Sequence, residues 1–217
     1  MQDTPKKQIP QATIKRLATY VQVLEKFDRE KVEIISSEPL AAACGVQGSQ
    51  LRKDLAYFGE FGIRGLGYPV KGLMQAITTS LGVDHEWSMI LIGVGNLGRA
   101  MINHIGFHSK NFVIKAIFDC DPFKIGETVY GLEVRCTEDI KKVVQNMQIM
   151  IGIITTPPER AQRAADHLIN AGLTSILNFA PARIQVPETV QVEYVDFFNQ
   201  MYSLAFNQTQ QWKKNAF

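Results

Sequence analysis

A run of thirteen residues limits what this chain can become. It is Met89-Ile-Leu-Ile-Gly-Val-Gly-Asn-Leu-Gly-Arg-Ala-Met101, an apolar strand, a glycine turn and the opening of a helix. Gly93, Gly95 and Gly98 supply G-x-G-x-x-G, the dinucleotide fingerprint. The first glycine allows a tight turn out of the strand, the second lets backbone approach a pyrophosphate, and the third lets the helix pack against the sheet. The helix then presents free N–H groups and its positive dipole end to phosphates. Val94, Asn96 and Leu97 are carried in the same turn. A second apolar strand over residues 113–118 ends in Asp119, 21 residues after Gly98. A carboxylate at that spacing suits the adenine ribose hydroxyls and repels a 2′-phosphate, which favours NAD and NADH over the phosphorylated cofactor.

The pattern around the fingerprint is α/β. Strands at 88–94, 113–119, 148–155, 175–180 and 190–196 alternate with helices at 96–105, 137–147 and 158–171, with residues 130–135 as a short edge segment. Such alternation predicts a right-handed parallel sheet. Ligands of such sheets lie beyond the carboxyl ends of the strands. That rule gathers Thr155, Thr156, Pro157, Asn178, Phe179, Ala180, Pro181 and Asp196 around one crevice. Beyond it, Phe197, Met201, Leu204, Ala205 and Trp212 stud a terminal helix over 197–217.

The first 80 residues read differently. Pro10 opens a helix over 10–27, with Ile14, Leu17, Val21 and Leu24 at helical spacing. A short helix at 39–44, a turn at Gly45 and a second helix from Ser49 give helix-turn-helix spacing. Leu51, Leu55 and Phe58 form the buried face of that second helix. Its N-terminal residues Ser49, Gln50, Arg52 and Lys53 would meet the major groove of DNA. Arg can grip guanine and Gln can read adenine, whereas Lys53 and Tyr57 suit phosphate and sugar. The glycine-rich stretch at 59–70 predicts a hairpin wing with Arg64 and Gly65 near its tip, Arg64 reaching into the minor groove and Tyr68 touching the DNA backbone. The same pattern also fits a small helical subdomain that binds protein. Residues 72–86 read as a short helix and linker.

Composition adds bounds. The net charge of +2 is too small to argue nucleic-acid binding alone, but residues 1–80 hold 11 Lys and Arg against 8 Asp and Glu. Cys44, Cys120 and Cys136 are scattered and form no C-x-x-C or Cys/His cluster, so no metal site is expected. No apolar run reaches membrane-spanning length, and no secretory h-region follows the polar N-terminus, so a cytoplasmic location is expected.

Six stretches together resemble the Rex family of bacterial redox-sensing transcriptional repressors over nearly the whole chain. They are residues 9–17, 50–62, 64–68, 93–100, 118–126 (which includes Lys124, grouped with the cofactor contacts) and 176–181. The resemblance implies an N-terminal winged helix-turn-helix (1–80), a Rossmann NAD(H)-binding domain (81–196) and a C-terminal dimerisation helix exchanged between subunits (197–217). It implies a homodimer that binds an inverted-repeat operator in double-stranded DNA and releases it when NADH replaces NAD. It also turns Arg16, by itself a solvated charge on a helix face, into a switch residue that pairs with Asp196 across the dimer. Many family members carry a Tyr where this chain has His104, which is placed with the cofactor contacts. The competing reading is a small NAD-dependent dehydrogenase. Against it, none of His85, His104, His108 or His167 has an Arg/Asp constellation suited to hydride transfer, and no substrate domain remains.

Overall fold

The computed structural model describes residues 9–58, 62–63, 65–108 and 111–215. It divides into two compact units, one ending at His85 and one beginning at Glu86.

The first unit is built on helices. It runs α1 (Gln11–Arg29), β1 (Ile34–Ile35), α2 (Ser37–Ala43), α3 (Gly48–Leu55), a single 3-10 turn (Ala56–Phe58), β2 (Tyr68–Pro69) and α4 (Val70–Leu81). Leu17, Tyr20 and Leu24 of α1 recur at helical spacing and are fully buried. They meet Leu40 of α2, Leu51 and Leu55 of α3, and Val70, Leu73 and Ile77 of α4 in one core. α2 and α3 are the two helices of the expected helix-turn-helix. The wing differs from the expectation in its strand partner. Tyr68 and Pro69 pair antiparallel with Ile35 and Ile34, which lie just before α2. A bridge between Ile63 and Gly67 closes the hairpin tip. Arg64 lies outside the described residues.

The second unit carries a seven-stranded sheet. Its elements are β3 (Trp87–Ile92), α5 (Asn96–His108), β4 (Phe112–Asp119), β5 (Thr128–Val129), β6 (Leu132–Cys136), α6 (Ile140–Met147), β7 (Ile151–Ile154), α7 (Pro158–Asn170), β8 (Ser175–Asn178), β9 (Gln191–Tyr194) and α8 (Phe197–Asn215). The strand order is β5-β6-β4-β3-β7-β8-β9, and every neighbouring pair is parallel except β5 with β6. The chain leaves β3 toward β4 on one side and later returns to β7 on the other, so the sheet reverses direction beside β3. That reversal is where open α/β sheets take ligands.

Side chains alternate across β3 as the pleat requires. Ile90 and Ile92 pack with Ile140, Val143, Ala161, Ala164 and Leu168 under α6 and α7. Met89 and Leu91 pack with Ile102, Ile117 and Ile153 on the side of α5. Burial on both faces explains why these strands read as unbroken apolar runs. Two local expectations shift. Residues 130–135 are not one edge segment, because Tyr130 has φ of 46° and sits in the turn between β5 and β6. β7 begins at Ile151 rather than Gln148, because Gln148 ends α6 in a left-handed conformation. The helix α8 exposes Phe197, Phe198, Met201, Tyr202, Leu204, Phe206 and Trp212, each more than half accessible.

Candidate nucleotide crevice and DNA-facing helix

The glycine turn is locked from behind. Gly93 has φ of +103°, and a Cβ there would lie 2.8 Å from the Thr155 backbone. A Cβ at Gly98 would lie 2.1 Å from the Gly93 carbonyl oxygen. Neither position tolerates a side chain without moving backbone. Above Gly95, by contrast, a Cβ would meet nothing within 4 Å. The turn is therefore tight against the protein and open above Gly95, which is the cradle a pyrophosphate needs. Val94 is fully buried, and Asn96 and Leu97 are exposed at the start of α5.

Two side chains hold that turn in place. Thr155, at the end of β7, donates its hydroxyl to the Gly93 carbonyl at 2.7 Å and lies 3.2 Å from the Ile92 carbonyl. Asp119, at the end of β4, accepts the Val94 N–H at 2.9 Å and the Asp121 N–H at 3.0 Å. Lys124 reaches the same carboxylate at 3.0 Å. Burial works against ionisation of Asp119, but those hydrogen bonds and the Lys124 ammonium outweigh it and hold the carboxyl below its usual range. Oδ2 already has two donors and Oδ1 one, so Oδ1 retains a lone pair for a ribose hydroxyl. Thr155 and Lys124 thus act on the turn and on Asp119.

The other strand ends join the same rim. The Phe179 N–H bonds the Ile154 carbonyl, and the Val195 N–H bonds the Asn178 carbonyl, both at 2.9 Å. Asn178 is buried and bridges its own loop, accepting the Ala180 N–H and donating to the Ala182 carbonyl, each at 2.9 Å. Ala180 is buried in the core under α6 and α7, whereas Phe179 packs against the core on the α5 side. Pro157 is the N-cap residue of α7. The hydroxyl of Thr156 is buried and has no hydrogen-bond partner among the described residues. Buried hydroxyls are almost always paired, so a polar ligand beside the glycine turn would complete it. Asp196 accepts the Phe198 N–H at 2.9 Å and caps α8. Phe197 is exposed on that helix and His104 is exposed on α5. No described cluster of His, Cys, Asp and Glu could hold a metal, and no described helix is long and apolar enough to cross a membrane.

In the first unit, Ser49 and Lys53 are exposed on α3, while Tyr57 is half-buried in the 3-10 turn. Gly65 is exposed and Tyr68 half-buried in β2. Arg52 reaches back 3.1 Å to Glu38 of α2. The expectations for Arg16 and Gln50 miss their main partner. Asp54, one turn after Gln50, is 1% exposed and collects Arg16 Nε at 2.6 Å, Arg16 Nη2 at 2.7 Å, the Tyr20 hydroxyl at 2.8 Å and Gln50 Nε2 at 2.9 Å. Thr13 completes the group, accepting from Arg16 Nη2 at 3.0 Å. Desolvation opposes the charge on Asp54, but the bonds from Arg16, Tyr20 and Gln50 prevail and hold its carboxyl low. Arg16 is therefore not a solvated charge, because its Nε and Nη2 are committed inside its own unit. Sequence reading passed over Asp54, although an acid one turn from Leu51 on the buried face of a helix was the available signal.

Comparison with known proteins agrees with both halves. Residues 84–182 match a family model described as a CoA binding domain, and residues 8–56 match one described as a putative DNA-binding protein N-terminus. A redox-sensing transcriptional repressor Rex of Maridesulfovibrio salexigens is 61% identical over 92% of this chain and 95% of its own. The Rex of Streptomyces coelicolor is 43% identical over 92% of this chain and 78% of its own. Among solved structures, RSP, a Rex-family repressor, in complex with β-NAD⁺ and operator DNA is 36% identical with a TM-score of 0.87, covering 97% of this chain and 98% of that one. RSP with β-NADH is 35% identical with a TM-score of 0.83, covering 95% and 98%. With such identity along nearly the full length of both chains, this protein belongs to the Rex family of redox-sensing transcriptional repressors.

Proposed function

We propose that this protein is a homodimeric repressor that binds an inverted-repeat operator and leaves it when NADH replaces NAD in the crevice beside β3. The observation that carries the nucleotide half is the glycine turn, tight behind Gly93 and Gly98 and open above Gly95. The unpartnered Thr156 hydroxyl beside that turn supports it. The first-turn N–H groups of α5 would receive the pyrophosphate, and Asp119 Oδ1 the adenine ribose. For the DNA half, α3 would enter the major groove with Ser49, Gln50, Arg52 and Lys53, while in the wing Arg64, beside Gly65, would enter the minor groove and Tyr68 would touch the backbone. The protein would work in the cytoplasm, where its operator lies.

The response needs two arrangements of the dimer that bind the two cofactor forms differently, since only differential affinity shifts an equilibrium. Oxidised nicotinamide is a cation and costs more to bury than the neutral reduced ring. NADH would favour the arrangement that buries the ring near Ala180 and Phe197. By reciprocity, operator DNA would weaken NADH binding by the same factor. The switch pair Arg16 and Asp196 would close in the DNA-competent form through Arg16 Nη1, the part of the guanidinium that Asp54 leaves available. The apolar residues of α8 would be covered by a second copy of the chain.

The test is a pair of substitutions. Arg52→Ala abolishes operator binding and leaves NADH affinity unchanged, read by anisotropy and calorimetry. Asp196→Ala leaves both bindings but uncouples them, and an unchanged NADH response in that variant would overturn the switch assignment. Turnover of NADH with a carbonyl substrate would favour the dehydrogenase instead.

A further inference from the structure

Gln50 and Asp54 lie one turn apart on α3, with Gln50 Nε2 2.9 Å from Asp54 Oδ1. A carboxylate only accepts hydrogen bonds, so the nitrogen of the Gln50 amide, and never its oxygen, can face it. Asp54 itself cannot turn to suit a different Gln50 rotamer. Its two oxygens are gripped by Arg16 Nε and Nη2 and by the Tyr20 hydroxyl, and the group is buried between α1 and α3. Each primary amide nitrogen has two hydrogens. One of Gln50's is taken by Asp54; the other hydrogen and the oxygen Oε1 remain.

We propose that Asp54 is a specificity-determining positioning residue, which fixes the flip of the Gln50 amide so that α3 presents one preset acceptor-and-donor edge to DNA. That edge matches the N6 donor and N7 acceptor of adenine in the major groove. A glutamine free to flip would present the reverse pattern equally often and would discriminate less. Arg16, Tyr20 and Thr13 act through Asp54 as its supports. The inference rests on the DNA-binding reading of α3 and goes beyond it by naming what sets one base preference.

The test uses the full-length protein and a labelled inverted-repeat duplex that the unaltered protein has selected from a random-sequence pool. Each A·T pair of the half-site is changed singly to G·C. The unaltered protein loses about tenfold or more at one symmetric position. Gln50→Ala and Asp54→Asn each flatten that position to about threefold or less, and the double variant is no flatter than either. Preferences elsewhere persist, and the salt dependence of binding, which reports phosphate contacts, does not change. Even weakening at every position in Asp54→Asn would assign Asp54 a purely structural role and overturn the inference, as would full discrimination in that variant. If Asp54→Asn does not fold, the side-chain amide of Gln50 in the unaltered protein, assigned by its loss in Gln50→Ala, is read by NMR. Slow exchange with water, kept on the operator, is expected; the signal of a solvated glutamine overturns the inference. Selection of no duplex by the unaltered protein would overturn the DNA-binding reading itself.

Discussion

Among the described residues each unit holds one buried carboxylate, Asp54 in the first and Asp119 in the second, and the two are satisfied in different ways. Asp119 is held mainly by backbone: the N–H of Val94 in the glycine turn 25 residues earlier, the N–H of Asp121, and a lysine five residues on. Asp54 is held mainly by side chains from another helix, Arg16 and Tyr20, 38 and 34 residues away in sequence. A site fixed by backbone tolerates changes in distant side chains. A site fixed by a side-chain network depends on every member, because removing one leaves the others buried without partners.

The sharpest way to break the comparison is at Asp54. Asp54→Ala strands the Arg16 guanidinium and the Tyr20 hydroxyl, and we expect a loss of about 3 to 5 kcal/mol in urea unfolding. The acid response follows the same logic. Because the folded-state carboxyl is held low, its contribution is complete above the ordinary aspartate value, about 3.9. It is lost as pH falls through the depressed value, so Asp54→Asn flattens that acid limb of the stability curve.

Next in size is Gly98→Ala, which forces the first turn of α5 off the Gly93 carbonyl. A loss of about 1 to 3 kcal/mol in stability is expected. NADH affinity falls by on the order of tenfold or more, while operator binding by the apo protein persists. If alanine here left NADH affinity intact, the glycine turn would not be the cofactor cradle. Smaller still, Thr155→Val removes the hydroxyl bond to Gly93 and costs about 1 kcal/mol. It weakens NADH binding severalfold by loosening the turn.

The smallest effect concerns reactivity rather than stability. Burial pushes the Cys44 thiol up to about 11, whereas Cys120 is exposed. The thiolate is the reacting form, so at pH 7.5 iodoacetamide should label Cys120 first and Cys44 last. Equal rates would show that the core around α2 opens readily.

The contrast between the two carboxylates also explains what was legible in the sequence. Asp119 could be read because its role follows from spacing along one strand-turn-helix-strand unit, and the structure adds only that Lys124 braces it while Thr155 braces the turn. The helix-turn-helix was legible because Leu51 and Leu55 repeat at helical period. Asp54 was not, since its partners come from α1 and no local rule links residues 16 and 54. The pairing of Ile34 and Ile35 with the wing escaped for the same reason, being a two-residue ladder between Ile34–Ile35 and Tyr68–Pro69, segments distant in sequence. Residues 130–135 misled because alternating apolar residues bracket Tyr130 and Gly131, and the positive φ at both makes them a turn.

The measurement that goes furthest toward the central claim is fluorescence anisotropy of the purified protein on a labelled inverted-repeat duplex, titrated with NADH against a fixed excess of NAD⁺. The expected result is release of the duplex as NADH rises, with NAD⁺ alone leaving it bound. Tight binding indifferent to NADH, or release by both forms alike, would contradict a redox-sensing repressor.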